Sequence, residues 1–263
     1  MEKLQNMKCA CGVKILGCIA LSILSATAGL GAGAGMVPEA AALLASPTLD
    51  MSQAARALSL YQGALATAGA DRTPLLANLS RTCFVLGQLA PKDQSMAYYR
   101  QGQSYAETLM REAPDRVEGH YWLAMNLCGQ SEEGGKLLGR KLLPLIMEEL
   151  QRALALDEAY DQAGAHRVLG RIYYEAPGWP LSVGDMQKSL QHLKAAVRLS
   201  PATSTNHLYL AQTLLRLNEA MPARQELAQV LKSSRYAVKP QDLEEDRQEA
   251  RRLLAEMEGG ETR

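Results

Sequence analysis

The chain has 263 residues, of which 47% are hydrophobic and 21% are charged, and its 28 basic residues balance 28 acidic ones. A chain with zero net charge lacks the positive field that attracts nucleic acid, so we exclude nucleic acid as a partner. Leucine and alanine are abundant, whereas aromatic residues make up only 5% of the chain. Because alanine and unbranched side chains lose little entropy in a helix, we expect an all-α fold.

The first 35 residues have the features of a signal peptide. Three lysines precede an apolar run at 15–24, and Ala26-Thr27-Ala28 matches the small-residue pattern of a cleavage site. The run is too short for a permanent membrane-spanning helix, which needs about 20 apolar residues. The sequence therefore predicts an exported, periplasmic protein. Retention of the segment as a membrane anchor and lipidation at Cys18 remain alternatives.

The rest of the chain, residues 36–263, is predicted to be one helical domain. A short helix is expected near 40–45, and Pro144 is expected to kink or split the long helix that contains it. Caps, prolines and apolar periodicity then predict further helices at 50–68, 74–89, 93–112, 117–128, 136–156, 163–175, 185–199, 205–217, 221–232 and 240–258.

A leucine followed by a small residue recurs in the helical stretches. The four occurrences are Leu86-Gly87, Leu123-Ala124, Leu169-Gly170 and Leu210-Ala211. A small residue at a fixed place lets a neighbouring helix approach closely, so the recurrence predicts stacked helical hairpins. The expected hairpins cover 74–113, 117–157, 163–200 and 205–233, with a capping helix at 240–258.

The third hairpin resembles the tetratricopeptide repeat. It contains Leu169-Gly170 and Tyr173 in its first helix, alanines in its second helix, and Pro201 at its end. This resemblance implies an α-solenoid of tetratricopeptide-like hairpins with a C-terminal capping helix. Leu169, Gly170, Tyr173 and Pro201 are then structural residues.

A narrower resemblance covers about half of the chain, from residue 137 to residue 257. Gly170-Arg171-x-Tyr173, Pro177 and Gly184-Asp185 are similar to the motif of the T component of tripartite ATP-independent periplasmic (TRAP) transporters. That motif has a second glycine where this chain has Val183. The resemblance implies an exported helical-repeat protein, usually lipid-anchored, that associates with the substrate-binding protein of a transporter.

The loop 176–185 is the most distinctive local segment. Asp185 is placed to cap the following helix, and Gly184 precedes it as a structural residue. Trp179 either covers an exposed helix end or forms part of a binding surface, because an exposed tryptophan is a frequent hot spot of binding.

Two pairs of adjacent aromatic residues supply three further candidates for a partner or ligand surface. Tyr121 and Trp122, and likewise Tyr173 and Tyr174, are neighbours whose side chains point about 100° apart on a helix. The two members of a pair therefore cannot both face the core, and one of them is expected on the groove or at a neighbouring helix. For each pair, core packing and groove lining are the two alternatives. Tyr121, Trp122 and Tyr174 are retained as candidate binding residues.

Two arginines complete the candidate surface. Arg167 and Arg171 lie four residues apart on one helix face, where they either bind an anion together or pair with nearby acids.

No catalytic or metal-binding pattern is found. The four histidines lack metal-ligand spacing, and no nucleophile motif is present, so we expect neither an enzyme nor a cofactor. Cys83 and Cys128 are expected to be separate buried thiols, because the predicted offset of about 12 Å between them exceeds disulfide reach.

The predicted function is that of an exported tetratricopeptide-like binding or scaffold protein, an accessory component of a TRAP transporter that docks a periplasmic substrate-binding protein. The alternative is a general scaffold for assembly or secretion in the cell envelope that binds peptide segments. A protein partner is expected, membrane contact is expected only through the N-terminal segment, and the residues do not determine the oligomeric state.

Overall fold

The computed structural model describes residues 35–67, 69–233 and 240–261, with side chains at 243–258 in the last range. The predicted leader lies, apart from Gly35, outside these residues. The described part is helical, with one isolated bridge between Gly178 and Gly184, so the all-α prediction is confirmed. Its helices are α1 (Met36–Leu44), α2 (Met51–Ala66), α3 (Arg72–Leu89), α4 (Lys92–Glu112), α5 (Val117–Glu133), α6 (Gly135–Leu156), α7 (Tyr160–Glu175), α8 (Met186–Leu199), α9 (Ser204–Arg216), α10 (Ala220–Lys232) and α11 (Pro240–Glu261).

Helix boundaries agree with the sequence except around α5 and α6. We expected α5 to end at Cys128 and a polar loop to follow, but the helix continues to Glu133 and Gly129 is buried. Pro144 was expected to kink or split α6. It does not split the helix, which continues through it, and the kink stays a prediction. None of the described helices combines the length and apolarity that crossing a bilayer requires.

The described residues form two compact units, 35–152 and 153–261. In the first, each of α1 to α4 packs on the next helix, and α3 also contacts α5. In the second, each of α7 to α10 packs on the next, and α9 also contacts α7 and α11. Contacts between neighbours and between next-but-one helices are typical of stacked helical hairpins. The extent of the predicted domain, 36–263, stays a prediction.

Close helix packing in the first unit depends on glycine. The ring of Tyr99 on α4 lies between Gly87 on α3 and Gly129 on α5, and a Cβ added to either glycine would come within 2.3 or 2.4 Å of the ring. Tyr99 is only 2% exposed, and its ring packs 6.0 Å from that of Phe84. The small residue of the leucine–small pair at Gly87 therefore admits a side chain of the next helix, as predicted.

A histidine joins the two helices of one hairpin in this unit. His120 Nδ1 lies 2.6 Å from Glu149 Oε2 on α6, and its Nε2 lies 3.0 Å from the carbonyl oxygen of Pro114. Both His120 and Glu149 are buried. Because the acceptors come from α6 and from the turn before α5, the imidazole links three segments of the hairpin.

The same arrangement recurs in the second unit. His207 Nδ1 lies 2.5 Å from Glu226 Oε2 on α10, and its Nε2 lies 2.9 Å from the Pro201 carbonyl oxygen. In both units the proline precedes the histidine by six residues, and the histidine precedes the leucine of a leucine–small pair by three. This repeat was visible in the sequence, but we did not identify it there.

Folding changes the pKa of His207. Burial lowers this pKa, but hydrogen bonds to Glu226 and the Pro201 carbonyl, together with the Glu226 charge, raise it by more, so the net shift is upward. Both ring nitrogens face acceptors, which is the arrangement that a protonated imidazole satisfies.

Of the two cysteines within the described residues, one is a free thiol. Cys83 is free and buried, and burial raises the pKa of its thiol to about 12. Cys128 is disulfide-bonded, so the prediction of two thiols was wrong for this residue.

The substitution Gly87→Ala should destabilise the protein by about 2 kcal/mol, because the added methyl group clashes with the enclosed Tyr99 ring and outweighs the higher helix propensity of alanine. For a chain of this length the loss corresponds to roughly 4–8 °C in Tm. Gly63→Ala is the matched control, since its Cβ would meet only the flexible Met36 side chain, at 3.1 Å from Sδ. Thermal unfolding followed by circular dichroism measures both, and equal Tm values for the two variants would contradict this account.

His207→Gln should cost more stability at pH 6 than at pH 8. A histidine whose pKa rises on folding stabilises the folded state fully below its unfolded pKa, about 6.5, and this contribution is lost as the pH rises through the folded pKa. Urea unfolding at the two pH values should give a loss of about 1.5–3 kcal/mol at pH 6, the range for hydrogen bonds to charged groups. Glu226→Gln should remove the same pH dependence, and a loss that grows with pH would be inconsistent with a raised pKa.

Candidate functional site

Tyr121 and Trp122 lie in the core of the first unit. Their side chains are 0% and 2% exposed, and their rings meet edge to face at a centroid distance of 5.0 Å. The Trp122 ring also packs 6.0 Å from Phe84. Neither residue lines an open surface, so both are core residues. The expectation that one of the two is exposed was wrong, because α5 is buried on all of its faces.

Arg167 is also buried, at 1% exposure, and it stabilises an unusual turn. Asp161, Gln162 and Ala163 at the start of α7 have φ of 49°, 59° and 61°, a left-handed conformation that costs L-residues energy. Arg167 Nη1 donates to the Gln162 carbonyl at 3.1 Å and to Asn206 Oδ1 at 3.2 Å, and Nη2 lies 3.4 Å from Asp161 Oδ2. The guanidinium is therefore occupied by its own chain.

Arg171 and Tyr174 form a layered group with α9. The Arg171 guanidinium lies 4.8 Å from the ring centroids of Tyr174 and Tyr209, and the Arg216 guanidinium lies 4.9 Å from the ring centroid of Tyr174. Arg171 also donates to Gln212 Oε1 at 2.8 Å and pairs with Glu175. We call Arg171, Tyr174, Tyr209 and Arg216 the arginine–tyrosine stack. Each arginine gains cation–π attraction from the rings.

Sequence reasoning missed the α9 half of this stack. Burial raises the pKa of the Tyr209 hydroxyl to about 12, with smaller opposing effects from neighbouring charges that include Arg171. A signal was available, because Tyr209, Gln212 and Arg216 follow one another at helical spacing, on a face different from that of Leu210 and Leu214.

Three of the predicted structural residues pack between α7 and α8. Leu169 is fully buried, and a Cβ on Gly170 would come within 2.6 Å of Leu193 Cγ. Tyr173 is 6% exposed, and its ring stacks on that of His192 at 5.6 Å. Pro201, the fourth, is exposed, and its carbonyl accepts the His207 hydrogen bond described above.

A pair of histidines lies at the same helix interface. His166 Nδ1 and His192 Nδ1 are 3.0 Å apart. Burial lowers the pKa of both, that of His192 to about 4, and the neighbouring His166 and Lys188 lower the pKa of His192 further. Within the described ranges, no group of three or more histidine, cysteine, aspartate or glutamate side chains is arranged to hold a metal ion.

The loop 176–185 is fixed by backbone hydrogen bonds. Gly184 N–H donates to the Pro177 carbonyl at 2.9 Å, and Asp185 N–H donates to the Tyr173 carbonyl at 2.9 Å. A Cβ on Gly184 would lie 2.0 Å from the Ala176 carbonyl oxygen, so only glycine fits there. Asp185 Oδ1 accepts from the N–H groups of the first turn of α8 at 2.9 and 3.0 Å, which is the predicted cap.

Two large apolar side chains project from this fixed loop. Trp179 is 89% exposed and Leu181 is 77% exposed. At that exposure Trp179 covers no helix end. Its part in a binding surface stays a prediction. Leu181 was not identified from the sequence, although its position two residues after Trp179 in a short proline-containing loop was a signal.

Comparisons with known proteins identify a family and a fold. A family model described as TRAP transporter T-component matches residues 49–259. The fold is similar to the crystal structure of a thermophilic TPR protein from Thermus thermophilus, with a TM-score of 0.59 and 19% sequence identity, over 83% of this chain and 98% of that one. No curated protein matches the chain.

The structural likeness confirms the predicted fold class, an α-solenoid of tetratricopeptide-like hairpins. The family match extends beyond the half of the chain on which the sequence resemblance was based, and it supports an accessory role in a transporter. The chain belongs to the T-component family of TRAP transporters.

Proposed function

We propose that this protein is exported and that it docks a periplasmic substrate-binding protein of a TRAP transporter through the loop 176–185. The single observation that carries the docking site is the exposure of Trp179 and Leu181 on a backbone-fixed loop. Family membership supports association with transporter components, and the leader-like segment at residues 1–35 supports export. Because both the family and the fold are of non-enzymatic kinds, the proposal assigns no chemistry to the chain.

The loop is suited to binding for an energetic reason. Tryptophan is enriched among residues that dominate binding energy, and its large rigid ring buries much apolar surface. A loop whose backbone is already held at Gly178, Gly184 and Asp185 loses little further entropy when a partner binds. Leu181 lies two residues after Trp179 and is also exposed, so it adds apolar surface to the same loop.

The arginine–tyrosine stack is a second candidate binding surface in the same unit. Its central guanidinium is already balanced by Glu175 and bonded to Gln212, which leaves less for a partner to gain there. A general envelope scaffold that grips peptide segments would use this type of helix face rather than a loop tip. Variants of the loop 176–185 and of the arginine–tyrosine stack therefore distinguish docking of a substrate-binding protein from the alternative, binding of peptide segments.

Trp179→Ala should weaken binding to the substrate-binding protein by about 30-fold or more, the effect of losing one hot-spot residue, and Leu181→Ala should weaken it several-fold. Both variants should keep the wild-type Tm, because the replaced side chains are exposed. Calorimetric titration of the purified partner into each variant measures the affinity. Met221→Ala is the matched control, since Met221 is 67% exposed on α10 and should bind as wild type.

Other results of the same measurements would contradict the docking proposal. If Trp179→Ala and Leu181→Ala bind normally while Arg216→Ala loses affinity, the helix face is the docking surface and the loop proposal fails. If none of the variants changes the affinity, neither the loop nor the helix face is the docking surface and the loop proposal fails. If the substrate-binding protein does not bind the wild type, the docking role itself is wrong.

A further inference from the structure

The first half of α6 presents an apolar surface that no described part of the chain covers. Leu137 is 84% exposed and Leu145 is 39% exposed. Pro144 is exposed as well, and it lies seven residues after Leu137, hence on the same side of the helix. An exposed leucine alone is ordinary, but an exposed apolar line on an otherwise well-packed helix calls for an explanation.

The opposite side of α6 is firmly packed on its own unit. Ile146 and Leu150 are 1% and 0% exposed. Glu149 forms the buried hydrogen bond to His120, and Gly139 allows Ser131 to approach so closely that an added Cβ would lie 2.7 Å from Oγ. The outward orientation of Leu137 is therefore determined by the packing of the inner face.

Basic residues border the apolar line on both sides. Lys136, Arg140 and Lys141 are all exposed. At 100° per residue, Lys136 and Arg140 lie on one side of Leu137 and Lys141 lies on the other. No acidic residue occurs between Glu133 and Glu148, and Glu148 itself pairs with Arg152 at 2.9 Å. We call Lys136, Leu137, Arg140, Lys141, Pro144 and Leu145 the basic apolar face of α6.

We propose that the basic apolar face of α6 binds an anionic lipid surface, with Leu137 entering the interface and the Arg140 and Lys141 side chains contacting lipid headgroups. A helix with leucines between lysines and arginines has the composition of helices that lie in the membrane interface. This contact is additional to the one expected through the N-terminal segment, and it does not depend on the docking role of the loop 176–185.

Charge favours lipid over a second copy of the chain. If two copies met through this face, their Lys136, Arg140 and Lys141 side chains would approach one another, and like charges at close range oppose association. An anionic bilayer instead offers negatively charged headgroups to the basic side chains and an apolar layer to Leu137. A membrane contact of this size is weak by itself and becomes effective together with a second attachment.

Vesicle binding tests the proposal with protein purified from its own cell envelope. We expect cosedimentation with vesicles of about 30% phosphatidylglycerol in phosphatidylcholine, weaker binding to pure phosphatidylcholine, and a decrease with salt. Since each basic residue near such a surface contributes about fivefold, Arg140→Glu with Lys141→Glu should reduce binding at least about 20-fold. Leu137→Glu should reduce it as well, without changing the Tm.

The matched control reverses two other exposed basic residues, Arg100→Glu on α4 with Lys194→Glu on α8, which changes net charge equally and should bind anionic vesicles far better than the α6 variant. A polarity-sensitive dye on Leu137→Cys should shift to the blue on anionic vesicles, whereas the dye on Met221→Cys should not. Equal losses for both double variants, or no shift at position 137, would overturn the proposal. So would α6 variants that keep vesicle binding but lose a transporter protein or self-association.

Discussion

The structure depends on how closely adjacent helices approach at a few small residues. Tyr99 fits between α3 and α5 only because Gly87 and Gly129 have no side chains there, and Leu193 fits against α7 only because of Gly170. Interior packing at this density leaves no room for a methyl group without displacement of an enclosed ring or branch. These contacts set the helix spacing within each unit, and the positions of the exposed segments follow from that spacing.

Buried polar side chains fix the register of the packed helices through directional hydrogen bonds. His120 and His207 each contact a carbonyl and a glutamate, and each joins a turn to two helices. Arg167 donates to the Gln162 carbonyl in the left-handed start of α7 and to Asn206 on α9. A hydrogen bond in a dry interior is expensive to leave unmade, so each such group restricts the register of its hairpin. Apolar contacts alone would tolerate small sliding of one helix along another.

The surfaces available for binding are the segments that this packing leaves outside. The loop 176–185 carries Trp179 outward because its backbone is held from both ends, and α6 carries Leu137 outward because its inner face is committed to α5. The residues of the arginine–tyrosine stack, by contrast, satisfy much of their own bonding. In a repeat protein of a non-enzymatic family, exposed rigid features of this kind are the ones that can distinguish partners.

Local patterns in the sequence were sufficient for most of the helices, the Asp185 cap, the close helix contacts at Gly87 and Gly170, and the family, because these depend on spacing along the chain. They placed Gly129 outside α5, so the second glycine beside Tyr99 was missed. Tertiary structure alone decided that Tyr121, Trp122 and Arg167 are buried, that Trp179 is exposed, and that Arg216 meets Tyr174 across two helices. The reason is physical: periodicity shows which side of a helix is apolar, but the exposure of a polar or aromatic residue depends on how many neighbouring helices surround it. Helix α5 is buried on all sides, so its sequence has no periodic polar face that marks an exposed side. Helix α6, by contrast, has an apolar residue, Leu137, on a side that no described residue covers.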